Sequence, residues 1–225
     1  MTSDSEAPGR YASPPCMAAE VDPAYFDPLA VDPEQARDVV RWRRAERTRL
    51  RAERDALSVA DRQAAGAAIV GHLADLLRKR FGTMRGRVFS GYWPIKGEPD
   101  LRPLLAALDA EGALVALPLV EVKAAPLVFR RWTRKTRMVR GDWNIPVPPP
   151  EIALAPVVGW TAEGFRLGYG GGYFDRTLAA LLPRPFTIGI GFQSARLATI
   201  YPQPHDIALD AVVTEAGIAV PPYGT

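Results

Sequence analysis

The chain has 225 residues, with 28 Lys and Arg against 25 Asp and Glu and a formal net charge of +3. That length supports one core, or a core with appendages, and so mild a charge does not by itself imply nucleic acid. No apolar run approaches the roughly 18 residues of a membrane span, and the single cysteine, Cys16, excludes an internal disulfide and argues against thiol chemistry.

Residues 1–35 are rich in Pro, Ala and Asp without periodicity and read as a flexible or loosely packed extension. They lack the basic and apolar regions of a secretory leader, and a cytoplasmic protein fits the cysteine usage. One α/β domain is expected over 36–218, followed by a C-terminal tail, 219–225. From about Arg37 to Leu57 the chain has helix formers, no Gly or Pro, and a dense set of arginines that includes Arg43, Arg47, Arg49, Arg51 and Arg54. Ser58 reads as the N-cap of a second helix, whose apolar face carries Ala65, Ile69, Leu73, Leu76 and Leu77. Strands follow at "RVFSGYW" (87–93), "ALVALP" (113–118) and "PLVFRRW" (126–132), with a helix at "DLRPLLAAL" (100–108) between the first two. "IALAPVVGW" (152–160) reads as a strand running up to a glycine cluster, "RTLAALL" (176–182) as a short helix, and "FTIGIGF" (186–192) and "DAVVTE" (210–215) as the last strands. Strands alternating with helices predict a three-layer α/β sandwich with a mostly parallel central sheet and helices on both faces.

The densest chemistry lies in "EGFRLGYGGGYFDRTLA", Glu163 to Ala179, where Gly168, Gly170, Gly171 and Gly172 fall within five positions. Strand, glycine loop and helix together form a phosphate-binding arrangement: glycines allow close approach to backbone N–H groups, and the helix adds its positive end. The spacing matches neither Walker A nor the dinucleotide fingerprint. Taken singly, the glycines read as a tight turn, Arg166 as a surface salt bridge, and Asp175 as a carboxylate favoured by the helix dipole. Together they favour a nucleotide site, with Arg166 on phosphate oxygens and Asp175 facing a bridging metal.

At this point "GFRLGYGGGYFD" closely resembles the signature of the 5-formyltetrahydrofolate cyclo-ligase family. "WRRAERTRLRAERDALS", "YWPIKGEPDLRPLL", "WNIPVP" with "PVVGW", and "PQPHDIALDAVVTE" resemble the family's other blocks in the same order, from about Arg37 to Glu215. The resemblance implies ring closure of 5-formyltetrahydrofolate to 5,10-methenyltetrahydrofolate, driven by ATP with Mg²⁺, releasing ADP and phosphate through a phosphorylated formyl group. It implies ATP phosphates held by Arg43, Arg47 and Arg166, with Leu167, Gly168, Tyr169, Gly170, Gly171, Gly172, Tyr173 and Phe174 forming the cradle. Arg166 and Tyr173 are the implied catalytic residues. Trp93, Glu98 and the stretch Tyr169 to Tyr173 would border the folate, and Asp175 and Asp206 would hold the metal. The chain departs from the family's pattern at Arg43, where Lys is common, and at Gly171, where some members carry Lys. It departs again at Phe174, often Tyr, and at Trp160-Thr161, often Phe-Asp. His205, a lone histidine beside Asp206, reads as structural, and for Trp93 the plain alternative is core packing.

The expected partners are the folate substrate and ATP, without nucleic acid or membrane, for a chain acting as a monomer. The alternative is a nucleic-acid-binding module built on the arginine-rich helix, which would have no use for Asp175 and Asp206 beside its phosphates. A loop for a sugar phosphate or coenzyme A would leave the basic helix unexplained.

Overall fold

The computed structural model describes residues 33–136 and 147–222. Most of the N-terminal extension, with Cys16, lies outside the described residues, as do 143–146 of "WNIPVP".

Helix α1 (Pro33–Ala56) opens the fold, and Ser58 caps α2 (Val59–Phe81) by accepting the Asp61 N–H at 3.0 Å. Strand β1 (Val88–Ser90), α3 (Arg102–Glu111), β2 (Leu114–Leu119) and β3 (Val128–Arg131) follow. Strand β4 (Ile152–Pro156) does not run on to the glycines as expected. It stops at Pro156, and an antiparallel two-residue pair, β5 (Gly159–Trp160) with β6 (Arg166–Leu167), comes between. Helix α4 (Tyr173–Ala180), β7 (Phe186–Ile190), β8 (Ala211–Thr214) and β9 (Gly217–Val220) complete the chain. Strand β9 was not read from the sequence.

The seven main strands form one sheet in the order β3-β2-β1-β4-β7-β8-β9. Its interior pairs are parallel, and the two edge strands run antiparallel to their neighbours. Side chains alternate across a strand, so β4 sends Ile152 and Leu154 into one core and Ala153 and Ala155 into the other. The first core joins α2 and α3 through Ile69, Leu73, Leu77, Leu104 and Leu105. The second joins α4 and α1 through Tyr173, Phe174, Leu178 and Leu50. The fold is therefore the expected three-layer sandwich with a mostly parallel sheet.

Chain order reverses between β1 and β4: the strands after β1 extend the sheet one way, and those after β4 extend it the other. In open parallel sheets such a switch point opens a crevice at the strands' carboxyl ends, where ligands bind. Here β1 leads into the segment of Trp93 and Glu98, and β4 leads, through the β5–β6 pair, into the glycine loop.

Candidate active site

Helix α1 supplies the basic wall. Arg43, Arg47 and Arg54 lie four and seven residues apart, so a period of 3.6 sets them on one stripe. Two apolar residues of that stripe, Val39 and Leu50, are buried. Trp42 meets Tyr201 edge-on at 5.0 Å. The remaining attachment is polar: Arg43 donates to the carbonyls of Ile200 and Tyr201, each at 2.8 Å, and to both oxygens of Asp206, at 3.2 and 2.5 Å. The two side chains of that ion pair are each 8% exposed.

Arg47 behaves differently. Its Nε donates to the Gly168 carbonyl at 2.7 Å, and among the described residues its terminal nitrogens meet no acceptor. Burial, together with the like charges of Arg43 and Arg166, holds its pKa down at about 10, with Asp206 pulling the other way. The guanidinium is still charged at neutral pH. Arg49, by contrast, turns outward and is tied to Glu46 and Glu53. The arginine-rich helix is thus two faces, one neutralised by its own acids and one turned to the loop.

The loop owes its shape to its glycines. Gly170 has φ of 102° and Gly172, the residue capping α4, has φ of 63°, a region that β-carbon-bearing residues seldom occupy. A methyl on Gly168 would lie 2.9 Å from the Arg166 guanidinium. Arg47 takes the Gly168 carbonyl and Arg176 takes that of Gly171 at 2.8 Å, so loop carbonyls are drawn onto cationic side chains. The first backbone bond into α4 runs from Arg176 N–H to Gly172 at 3.1 Å, leaving the N–H groups of Tyr173, Phe174 and Asp175 outside the helical ladder.

Arg166 was expected on phosphate oxygens and Asp175 on a bridging metal. They are paired with each other at 2.5 Å, with side chains 7% and 9% exposed, and Arg166 lies 5.1 Å from the ring centroid of Phe174. The pair is buried, so a surface salt bridge does not describe Arg166, whereas Asp175 does stand in the first turn of α4, where the helix dipole favours a carboxylate. Asp175 also accepts the N–H of Ile207 at 3.2 Å, which brings it beside Asp206 across the fold. Carboxylate oxygens suit a hard cation such as Mg²⁺ in type, but each of the two is already held by an arginine, Asp175 by Arg166 and Asp206 by Arg43. Among the described residues no third His, Cys, Asp or Glu joins them, and phosphate oxygens or water would have to complete the shell. Burial holds the His205 imidazole below its usual pKa, against the pull of Asp206.

Across the crevice, Ile95 to Glu98 form a tight turn closed by Glu98 N–H to the Ile95 carbonyl at 3.0 Å. Its central residues, Lys96 and Gly97, have φ of 48° and 73°, as in the I′ class. The turn aims Glu98 at the glycine loop. Tyr169 donates its hydroxyl to Glu98 Oε1 at 2.8 Å, and Ile95 N–H reaches Oε2 at 2.9 Å. Glu98 is 7% exposed, and burial raises its pKa above the usual carboxylate range despite those bonds and the charges of Arg54 and Lys96. Trp93 is half-buried, tilted against Trp132 at 6.3 Å with Arg102 at 5.6 Å, and packs against the α2–α3 core.

Three predicted cradle residues face the core instead, among them Phe174, which is 6% exposed. Leu167 is 1% exposed, so only its backbone is available to a ligand. Tyr173 is 5% exposed, and its hydroxyl receives the Ala124 N–H at 3.5 Å, at the β2–β3 connection. Two residues were overlooked. Arg54 donates to the Tyr169 hydroxyl at 2.8 Å, and the guanidinium of Arg51 lies 6.0 Å from the Tyr169 ring centroid. The available signal was the stripe that places Arg54 below Arg43 and Arg47.

The family model described as 5-formyltetrahydrofolate cyclo-ligase family matches residues 39–215. The 5-formyltetrahydrofolate cyclo-ligase of Mycolicibacterium smegmatis is 30% identical over 183 residues, covering 75% of this chain and 91% of that protein. The Haemophilus influenzae protein of the same name is 24% identical, covering 72% of this chain and 92% of its own. Among solved structures, a 5,10-methenyltetrahydrofolate synthetase from Mycoplasma pneumoniae superposes with a TM-score of 0.65 at 23% identity, over 77% of this chain and 98% of that one. The Aquifex aeolicus 5,10-methenyltetrahydrofolate synthetase gives 0.63 at 23% identity, over 81% and 93%. At such identities these superpositions establish the fold.

Proposed function

This chain belongs to the 5-formyltetrahydrofolate cyclo-ligase family, and from that premise we propose that it closes 5-formyltetrahydrofolate to 5,10-methenyltetrahydrofolate at the expense of ATP. A formamide carbon is a weak electrophile and its oxygen a poor leaving group. In the proposed sequence the formyl oxygen attacks the γ-phosphorus of ATP, the bond to ADP breaks, and an iminium-like phosphate ester results. The neighbouring N10 attacks that carbon and loses its proton, and the C–O bond breaks with phosphate departing. Holding N10 and the formyl carbon together replaces an intermolecular encounter by an intramolecular one.

Charge supports this assignment. Arg43, Arg47 and Arg166 face Asp175 and Asp206, three cations against two anions, so the site carries a positive excess. The observation that carries the reading is Arg47, tied to the glycine loop through Nε while its terminal nitrogens remain uncommitted. A fork held this way is prepared for phosphate oxygens. Loop N–H groups and the start of α4 add fixed donors for charge that develops during transfer. A magnesium ion held by Asp175 and Asp206 would neutralise charge across the phosphates. On the other wall, Glu98 is suited to accept N–H bonds from the aminopyrimidinone ring.

The deciding experiment mixes the protein with 5-formyltetrahydrofolate, ATP and Mg²⁺, and follows the near-ultraviolet absorbance of the methenyl product. The expected signal requires all three. No signal with every component present removes the activity, and product without ATP removes the phosphorylated route.

A further inference from the structure

Arg54 is 6% exposed, as deeply buried as Arg43. Arg43 is ion-paired with Asp206, whereas among the described residues Arg54 makes no direct ion pair, and the carboxylate it acts on by charge, Glu98, lies beyond the Tyr169 hydroxyl. Its Nη2 donates to the Tyr169 hydroxyl at 2.8 Å, its Nε meets no acceptor, and its guanidinium carbon lies 5.8 Å from the Tyr169 ring centroid. A guanidinium taken out of water without a directly paired anion is costly, so its presence here asks for a reason.

The direction of the hydrogen bonds supplies one. A tyrosine hydroxyl has a single proton, and an arginine accepts nothing. With Arg54 donating to the Tyr169 oxygen, that proton is directed onward to Glu98 Oε1, 2.8 Å away. The other carboxylate oxygen takes the Ile95 N–H at 2.9 Å. Both oxygens of Glu98 therefore accept, and both bonds favour the ionised form. Burial works the other way and raises the pKa of the group, with Arg54 and Lys96 opposing it. The charged or titratable groups that face Glu98 are Arg54, Lys96, Tyr169 and the buried Tyr92.

We propose that Arg54 is a positioning residue for the folate: by donating to the Tyr169 hydroxyl it turns that proton onto Glu98 and keeps Glu98 an acceptor on both oxygens for the N–H groups of the pterin. This rests on the reading that Glu98 meets the pterin ring. Without Arg54 the hydroxyl loses the donor that orients its proton, and Glu98 binds its own proton more readily. Because the carboxylate form is the one that binds, affinity is present above the Glu98 pKa and is lost as pH falls through it. Removing Arg54 moves that loss to higher pH.

The test is calorimetric binding of 5-formyltetrahydrofolate across the acid-to-neutral range, for the full-length chain and its variants Arg54→Leu, Arg54→Lys, Tyr169→Phe, Glu98→Gln and Arg54→Leu/Tyr169→Phe. Arg54→Leu is expected to weaken binding about tenfold near neutrality, as for loss of a charge-assisted bond, and the loss shrinks as pH rises. Arg54→Lys recovers part of it. Tyr169→Phe shows the same shifted acid limb, and adding Arg54→Leu to it changes little, because both interrupt one relay. An unshifted acid limb in Arg54→Leu, or additive losses in the double variant, overturns the proposal. Should Arg54→Leu fail to fold, Tyr169→Phe decides, and an unshifted limb there overturns it equally. A Glu98→Gln variant that binds as tightly as the parent instead removes the pterin reading beneath it.

Discussion

Arg43 and Arg47 sit one helical turn apart and answer to different constraints. Removing the Arg43 side chain leaves the buried Asp206 without its partner, a change expected to cost about 3–5 kcal/mol of stability. A loss of activity there would report folding rather than nucleotide binding. Among the described residues Arg47 has no such carboxylate partner, so Arg47→Ala is the clean probe. It is expected to raise the KM for ATP about tenfold or more, the worth of a charge-assisted contact, with the KM for folate and the melting temperature little changed. Steady-state kinetics with each substrate varied in turn checks it. Glu98 provides a second test through its raised pKa. An acid whose pKa is raised by folding lowers stability once ionised, so its burden is full above the folded pKa, declines as pH falls through it, and is gone only below the unfolded pKa. Glu98→Gln is therefore expected to melt higher than the parent at neutral pH, with the difference closing on acidification, while folate binding is lost. Equal melting temperatures at neutral pH would show that the carboxylate carries no such burden.

Elements and connections differ in how far the sequence reveals them. Helix α2 was legible because Ser58 and an apolar stripe mark its start and its buried face. Helix α4 starts at Tyr173 rather than Arg176, because Gly172 turns the chain at positive φ and hands over at once. The break after β4 was hidden: Ile152 to Trp160 is buried throughout, so composition alone cannot separate a strand from the β5–β6 pair that follows it. The resemblance pointed to the glycine loop and its carboxylates. The Arg43–Asp206 and Arg54–Tyr169 contacts span 163 and 115 residues, and no local pattern encodes such meetings. The loop itself yields a test at Gly168. A methyl there meets only the movable end of Arg166, so Gly168→Ala is expected to keep the fold. It should displace Arg166 from Asp175 and lower kcat about tenfold, as small misplacements at a reacting centre do. Calorimetric melting and turnover on the same sample separate the two effects, and unchanged turnover would take the Arg166–Asp175 geometry out of the rate.

For the molecule as a whole, the described fold begins at Pro33 and the family match at residue 39. Deleting residues 1–32 is therefore expected to leave kcat, both KM values and the melting temperature within experimental error of the full chain. A fall in turnover at unchanged melting temperature would show that the extension reaches the crevice. The attachment of α1 has one more consequence. Its Arg43 bonds to Ile200, Tyr201 and Asp206, 157 to 163 residues further along, and synthesis proceeds at about 5–20 residues per second. Helix α1 thus waits on the order of ten seconds or more after its synthesis for the segment on which Arg43 docks. A nascent or prematurely ended chain that stops short of this segment lacks Asp206 and the carbonyls on which Arg43 docks, together with β8 and β9. On the proposed reading, nucleotide affinity is acquired only once the segment through Asp206 has been made.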